Sequence, residues 1–163
     1  MAHSLRRFSR ILLGATLAAS LAGCASDRTN EAGDEMSSAL STASAENERH
    51  AGACRSTASM ADLLTDVDRH IETMTGLMSR MDSASDHMRT GSEMSMHCSG
   101  IDFDRMSRSL TDLHSEVARH SGNMNAMPTL DVAQMECAAY TGAMRSTMRS
   151  MQDDLGAMTC MQM

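Results

Sequence analysis

The most constraining feature of this chain is a pair of stripes with helical spacing. In each stripe the positions recur at alternating intervals of three and four residues. The first stripe consists of Met60, Leu63, Val67, His70, Met74, Leu77 and Met81. The second consists of Met106, Leu110, Leu113, Val117, His120, Met124 and Met127. This pattern is typical of helices that pack in a bundle, and no comparable alternation indicates a strand.

The two stripes belong to an internal repeat with an offset of 50 residues. Residues 62–74 align with residues 112–124, and the identical positions are Asp, Leu, Val, Arg, His and Met. Such a repeat predicts two copies of a helical hairpin. Turn-forming residues at 82–85, at 98–102 and around Pro128 mark the expected connections, with Asp102 as an N-cap.

These boundaries predict helices near 50–81, 84–97, 102–126 and 129–161, and a separate short helix over 46–57 is the alternative for the start. Short connections make consecutive helices antiparallel. The expected fold class is therefore all-α. It is an up-down-up-down four-helix bundle made of two repeated helical hairpins, and it follows a signal peptide and a disordered tether.

Methionine takes the place of aromatic residues in this chain. The sequence has 19 Met beside 2 Phe, 1 Tyr and no Trp. Met is a flexible core filler, so we expect a soft core, and its thioether is also a ligand suited to Cu(I). The chain has 14 basic residues, all of them Arg, and 21 acidic residues. With no basic patch to bind phosphates, nucleic acid is disfavoured as a partner.

The N-terminus has the organisation of a secretory signal. Three arginines (Arg6, Arg7 and Arg10) precede a short apolar run over 11–20, which is too short for a comfortable membrane span. The run ends in Leu21-Ala22-Gly23-Cys24, which resembles the lipobox of bacterial lipoproteins.

The resemblance covers the first 24 residues and implies cleavage before Cys24 and lipidation of its thiol. We therefore expect a signal peptide over 1–23, a lipidated Cys24 with a flexible tether over 24–45, and a Met-rich helical bundle over 46–163. Ala25 and Ser26, rather than Asp, follow the cysteine. This resembles outer-membrane sorting in double-membraned bacteria. The expected location is the cell envelope, on the outer membrane facing the periplasm.

The stripes also carry polar residues at matched heights. With turns near 80 and 130, one layer is expected to hold His70, Thr90, His120 and Tyr140. The layers on either side are expected to hold Met74, Asp86 or His87, Met124, and Glu136 or Cys137 in one, and Asp66, Met94, Glu116 and Met144 in the other. A buried imidazole needs partners for both nitrogens. One interpretation is that the two histidines hydrogen-bond to Tyr140, Thr90, Asp66 or Glu116 and fix the helix register.

The other interpretation is a metal or cofactor site between facing helices. Imidazole, thiolate and thioether together favour copper. The expected ligands are His70, His120, Met74, Met124 and Met144, with His87 and Cys137 one turn away. Non-covalent haem between the two histidines is the less favoured cofactor. No Cys-x-x-Cys-His motif is present, and few aromatic residues are available to line a porphyrin. No Glu-x-x-His pair indicates a di-iron site.

A second cluster of sulfur and imidazole residues is expected at the other end of the bundle. Its members are His50, Cys54, His97, Cys98 and Cys160, together with Met158, Met161 and Met163. One interpretation is a disulfide between Cys54 and Cys160 that joins the first helix to the last, with Cys98 as a competitor. The other is a surface site for Cu(I) or Zn(II).

Sequence signatures of enzymes are absent, since the chain has no nucleophile elbow, P-loop, dinucleotide glycine motif or His-Glu-x-x-His. We therefore expect no catalytic activity. Two functions remain. The first is a copper-binding envelope lipoprotein for buffering or tolerance. The second is a structural or protein-interaction lipoprotein that binds no metal and has another envelope protein as its partner.

Overall fold

Four long helices carry most of the described chain. The computed structural model describes residues 8–95, 98–99, 102–157 and 159–160, and it describes side chains over 30–91 and 102–157. The helices are α1 (Phe8–Ser56), α2 (Met60–Ser95), α3 (Phe103–Met124) and α4 (Leu130–Gly156). Two short strands, β1 (Cys98–Ser99) and β2 (Thr159–Cys160), pair antiparallel with Cys98 opposite Cys160.

The helices form a closed four-helix bundle. Each helix contacts the next one in the chain, and α1 contacts α4. Because the connections are short, neighbours run antiparallel, as in an up-down-up-down bundle. The prediction of an all-α four-helix bundle is therefore confirmed. The end of α1, the start of α2, the end of α3 and the start of α4 meet at one end, which we call the distal end.

The predicted tether is wrong over residues 30–45, because these residues belong to α1 and pack in the core. Six of them are buried, and four of the six are Ala or Gly: Ala32, Gly33, Met36, Ala39, Leu40 and Ala43. Alanine is the strongest helix former, and its small side chain lets two helices approach closely. A segment that reads as polar and featureless can therefore form one face of a bundle helix.

The predicted turn at 82–85 is also wrong, since α2 runs without interruption from Met60 to Ser95. Met81, Ala84 and Met88 are buried and continue the stripe of α2 at helical spacing. The two copies of the repeat therefore differ in secondary structure. Residues 62–94 are in one helix, whereas residues 112–144 are divided between α3 and α4.

The ends of α3 and α4 follow their capping residues. The Asp102 side chain accepts a hydrogen bond from the backbone N–H of Arg105, which confirms the predicted N-cap. Thr129 caps α4 in the same way, accepting from the backbone N–H of Val132. Pro128 lies directly before this cap, where its ring disfavours continuation of α3.

Two apolar clusters fill the bundle, and methionine dominates the larger one. The large cluster draws on all four helices and contains Met36, Met74, Met78, Met81, Met88, Met106, Met144, Met148 and Met151. The small cluster lies at the distal end and contains Cys54, Leu63, Val67, Met124, Ala133 and Cys137. In the described part of the chain, no helix is long and apolar enough to cross a membrane.

Candidate metal centre

One ring from each helix forms a buried layer between the two apolar clusters. His50 comes from α1, His70 from α2, His120 from α3 and Tyr140 from α4, and each ring is fully buried. The His50 ring stacks on His70 with centroids 4.0 Å apart, and the His120 ring stacks on Tyr140 with centroids 3.9 Å apart. We call these four residues the ring layer.

His70 has hydrogen-bond partners for both of its ring nitrogens. Its Nδ1 lies 3.0 Å from Oε1 of Glu46, and its Nε2 lies 3.0 Å from the hydroxyl of Tyr140. A carboxylate accepts, so Nδ1–H donates to Glu46 and the tyrosine O–H donates to Nε2. Burial, together with the nearby His50, lowers the pKa of His70 to about 4. His70 is therefore a neutral, fully bonded member of the layer.

His50 directs one nitrogen toward the sulfur atoms of the small cluster. Its Nδ1 lies 2.7 Å from Oδ2 of Asp66, so Nδ1–H donates to that carboxylate and Nε2 carries the lone pair. This Nε2 lies 3.2 Å from Nε2 of His120, 3.3 Å from Sγ of Cys137 and 3.6 Å from Sγ of Cys54. The His50 nitrogen and the two sulfurs thus lie close together in the interior, and Nε2 of His120 lies beside the same nitrogen.

His120 lacks a partner at its other nitrogen. Among the described residues, nothing lies within hydrogen-bond distance of its Nδ1, although the atom is buried. Burial lowers the pKa of His120 to about 3, with further contributions from His50 and His70. A neutral imidazole with an unmatched polar nitrogen is unusual in a core, since such a group costs about 1–3 kcal/mol. The environment of His120 is therefore not explained by packing alone.

Two carboxylates and one arginine support the layer from its edge. Arg49 pairs with Glu46 and with Asp66, at 2.6 Å in each case, and Arg69 also contacts Asp66. Burial raises the pKa of Asp66, but hydrogen bonds from His50 and Arg49 outweigh it and leave the pKa below its usual value. The same balance, with bonds from Arg49 and His70, lowers the pKa of Glu46. Both carboxylates stay ionised and hold their histidines in one tautomer.

The two sulfurs of the centre form a disulfide. It joins Cys54 near the end of α1 to Cys137 near the start of α4, with Cα atoms 6.2 Å apart. The predicted pairing of Cys54 with Cys160 is wrong. Cys54 was expected at the start of a helix but lies near the end of α1, at the distal end. Cys160 lies opposite Cys98, at the other end of the bundle.

The thioether ligands expected from the sequence are separated by the ring layer. Met74 and Met144 are in the large cluster, whereas Met124 is in the small one. The prediction treated residues 70–74 and 120–124 as parallel, but α2 and α3 are antiparallel neighbours. Moving four residues on from His70 therefore leads away from the distal end, and moving four on from His120 leads toward it.

Other residues predicted near the layer lie elsewhere. Thr90 and His87 are exposed, and Glu116 pairs with Arg119. The position expected for Thr90 is occupied by His50, because α1 provides the fourth wall of the bundle. Of the expected second cluster, His50 and Cys54 lie at the candidate metal centre. Cys98 and Cys160 are described only through their backbone, and His97, Met158, Met161 and Met163 lie outside the described residues, as does the side chain of Met94.

A third stripe in the sequence was the signal that the sequence analysis missed. It runs along α1 with spacings of four and three, and all its members are buried: Met36, Leu40, Ala43, Asn47, His50 and Cys54. Counting Ala and Asn as core residues would have revealed it. The stripe ends in the two α1 residues of the candidate metal centre, His50 and Cys54.

Comparison of the chain with family models, with curated proteins and with solved structures finds no match. The arrangement of the described residues therefore carries the functional conclusion.

Proposed function

We propose that this protein is a metal-binding lipoprotein of the cell envelope that holds one thiophilic transition-metal ion at its distal end. The observation that carries the proposal is the convergence of His50, Cys54 and Cys137 on one buried point, with His120 Nε2 lying 3.2 Å from Nε2 of His50. In the dithiol form these residues supply two imidazoles and two thiolates. A Cys₂His₂ set is a common tetrahedral site for Zn(II), and its ligand types also suit Cu(I).

The distances in the centre match the edges of such a tetrahedron. With bonds of about 2.05 Å to nitrogen and about 2.3 Å to sulfur, tetrahedral angles place two nitrogens about 3.3 Å apart and a nitrogen and a sulfur about 3.6 Å apart. The separation of the His50 and His120 Nε2 atoms is 3.2 Å. From His50 Nε2 the two sulfurs lie at 3.3 and 3.6 Å. The three edges that meet at His50 Nε2 are therefore close to their ideal lengths.

The surroundings of His50 also suit a metal ligand. Ligating histidines usually donate their second N–H to a carboxylate, which fixes the tautomer and increases the basicity of the ligating nitrogen. Asp66 accepts such a bond from His50. Burial keeps His50 and His120 neutral by lowering the pKa of each, and the neutral form is the one that binds metal.

Copper is the ion we favour, with zinc as the alternative. Copper binds nitrogen and sulfur ligands more tightly than zinc in the general order of affinities, and soft thiolates favour Cu(I). His70 is outside the ligand set, because its two nitrogens bond to Glu46 and Tyr140. Haem is less compatible with this geometry. His50 and Tyr140 stack directly on the two histidines that the sequence analysis assigned to the iron.

Lipidation at Cys24 would place the metal centre far from the membrane. Cys24 precedes Asn30, the first described side chain, by six residues, or about 9 Å of helix. His50 lies 26 residues beyond Cys24, which is about 39 Å along α1. The centre would then face the periplasm at the distal end.

Metal titration of the reduced protein tests the proposal. The full 163-residue chain would be expressed with its own signal, purified in mild detergent and reduced with a phosphine. Cu(I) and Zn(II) would then be titrated in separate arms against a chelator. We expect one ion per chain and tighter binding of Cu(I). His120→Ala should weaken binding by about 100-fold or more, since changes outside the ligand set already cost about 10–100-fold.

His114→Ala is the matched control for this titration. His114 also lies on α3, but it is exposed and pairs with Asp82. This variant should bind metal as the unchanged protein does. Absence of a stoichiometric ion in both arms, or equal affinities for the two variants, would refute the proposed function.

A structural lipoprotein without metal is the second possibility, and the disulfide is the observation that favours it. The bond between Cys54 and Cys137 joins α1 to α4 and stabilises the bundle without any ion. In that case the ring layer serves only to fix the register of the helices. Replacing His120 with Leu should then be tolerated in the reduced protein, and the titration above should find no ion.

A further inference from the structure

We propose that the Cys54–Cys137 disulfide is a redox gate that closes the metal centre when oxidised and opens it when reduced. This inference rests on the proposed function, because it concerns the same site. The same two sulfurs are bonded to each other in the structure and complete the ligand set in the dithiol form. They cannot do both at once, so the redox state of one bond determines whether an ion binds.

Loss of the thiolates leaves too few ligands for the ion. The thiolate is the form of cysteine that binds metal, and each sulfur of a disulfide has given up that negative charge. With the disulfide closed, only the two Nε2 atoms of His50 and His120 remain at the centre. In that state their 3.2 Å separation fits a hydrogen bond from one ring to the other. The oxidised protein thus lacks both anionic ligands of the proposed site, and its two imidazole nitrogens bond to each other instead.

Opening the gate requires little movement of the backbone. The Cα atoms of Cys54 and Cys137 are 6.2 Å apart, and both sulfurs already lie beside His50 Nε2. In a tetrahedral site the sulfurs are about 3.8 Å apart, compared with about 2.05 Å in a disulfide. Rotation about the Cα–Cβ bonds of the two cysteines provides this change. The part of the reduced site formed by His50, Cys54 and Cys137 is therefore in place in advance.

The chemistry of the gate balances with a dithiol as the reductant. A thiolate of the reductant attacks one sulfur of the disulfide, which releases the other cysteine and forms a mixed disulfide. The second thiol of the reductant then attacks the reductant's own sulfur in that mixed disulfide and releases the first cysteine. The reductant becomes a disulfide, and the protein gains two electrons and two protons as two thiols. When a metal ion binds, both thiols lose their protons to solvent. A disulfide-class oxidant reverses the sequence, reforming the Cys54–Cys137 bond and releasing the ion.

The position of Cys54 provides access for the reductant. Cys54 and Cys137 are both buried, so exchange needs local opening. Cys54 lies two residues before the end of α1, and residues 57–59 connect that end to α2. Helix ends open at the lowest free energy of any part of a helix. Fraying of this end exposes Cys54 first, while Cys137 remains about two turns inside α4.

The test compares metal binding in the two redox states of one protein. Cys98→Ser and Cys160→Ser would first be introduced into the full chain, since these two residues face each other across the strands and would otherwise contribute a second redox signal. The purified double variant would be divided into two halves. One half would be oxidised with oxidised glutathione, and the other would be reduced with a phosphine. Both halves would be freed of reagent and titrated with Zn(II), which does not itself oxidise thiols.

The gate predicts one bound ion per chain in the reduced half and none in the oxidised half. Oxidation of the loaded protein should release the ion to a chromogenic chelator as two thiols disappear. Equal binding by both halves would overturn the gate and leave the proposed function standing. Absence of binding in both halves would overturn the gate and the proposed function together.

Cys54→Ser and His120→Ala separate the gate from a general effect of the reagents. Cys54→Ser cannot form the internal disulfide, so samples that mass spectrometry shows to carry no glutathione on Cys137 should bind equally weakly after either treatment. His120→Ala should still form the disulfide, as measured by thiol counting, while binding metal weakly in the reduced state. Circular dichroism of each sample would show that the bundle is intact. A redox-dependent affinity in Cys54→Ser would contradict the gate.

Discussion

At the scale of the residue, the partner of the second ring nitrogen decides what each buried histidine can do. His70 is bonded at both nitrogens and serves the structure. His50 is bonded to Asp66 at Nδ1, which leaves Nε2 directed at the sulfurs. His120 places Nε2 3.2 Å from Nε2 of His50 and leaves Nδ1 without a partner among the described residues. Three residues of one type therefore have three roles.

Asp66→Asn tests the role of the carboxylate that orients His50. The amide cannot accept the Nδ1–H bond with a full negative charge, so we expect metal affinity to fall by about 10–100-fold. The stoichiometry should remain one ion per chain. The measurement is competitive titration of the reduced protein against a chelator.

Asp82→Asn is the matched control for this substitution. Asp82 also lies on α2 and also accepts from a histidine, but that pair with His114 is on the surface. Its loss should leave metal affinity unchanged. An equal effect of the two substitutions would show that the Asp66 carboxylate does not act through the metal centre.

At the scale of the element, α1 differs most from the expectation. Its buried face consists largely of Ala, Asn, His and Cys, which hydropathy patterns do not count as a core. The helix nevertheless contacts both α2 and α4 and closes the bundle. It also brings His50 and Cys54 to the centre. The site therefore depends on a helix whose sequence looks like a linker.

Leu40→Ala tests whether residues 30–45 are part of the core. Leu40 is fully buried in the large cluster. Removing three carbons from a packed site costs about 2–5 kcal/mol of unfolding free energy. Urea unfolding of the disulfide-bonded, metal-free protein measures this loss.

The control is Ser41→Ala, at an exposed neighbouring position of α1. A surface change of this kind should alter the unfolding free energy by less than about 0.5 kcal/mol. Equal stabilities for the two variants would mean that this part of α1 is a tether, as the sequence first indicated.

At the scale of the whole molecule, the ring layer places a group of neutral histidines between two apolar clusters. In the folded protein the pKa values of His70 and His120 are about 4 and about 3. Glu46 and Asp66 face the layer as ionised carboxylates, and Arg49 lies between them. In the unfolded chain, each histidine titrates near its ordinary value of about 6.5.

Acid should therefore destabilise the bundle before the carboxylates titrate. Above about pH 6.5 neither state binds protons at these rings, and their contribution to stability is complete. Between about pH 6.5 and about pH 4 the unfolded chain binds protons that the folded protein does not. Each of the two rings then lowers the unfolding free energy by about 1.4 kcal/mol per pH unit.

Urea unfolding of the metal-free, disulfide-bonded protein at pH 7.5, 6 and 5 would show this fall in the unfolding free energy. A constant stability over this range would contradict the neutral ring layer.

The sequence by itself determined the fold class and part of the site. Alternating intervals of three and four residues define helical faces without reference to any other element, and capping by Asp102 and Thr129 is equally local. The burial of His70 and His120, and of four methionines on the same stripes, followed from those faces: Met74, Met81, Met106 and Met124. The selection of the ligands did not, because it depends on which helices are neighbours and in which direction they run.

Only the tertiary structure decided which side chains meet. The antiparallel packing of α2 against α3 places Met74 and Met124 on opposite sides of the ring layer. The packing of α1 against α2 and α4 brings His50 into the layer, and it joins Cys54 to Cys137. The physical reason is that a helical pattern fixes the direction of a side chain around its own axis. Its height beside another helix is set by how the helices pack together.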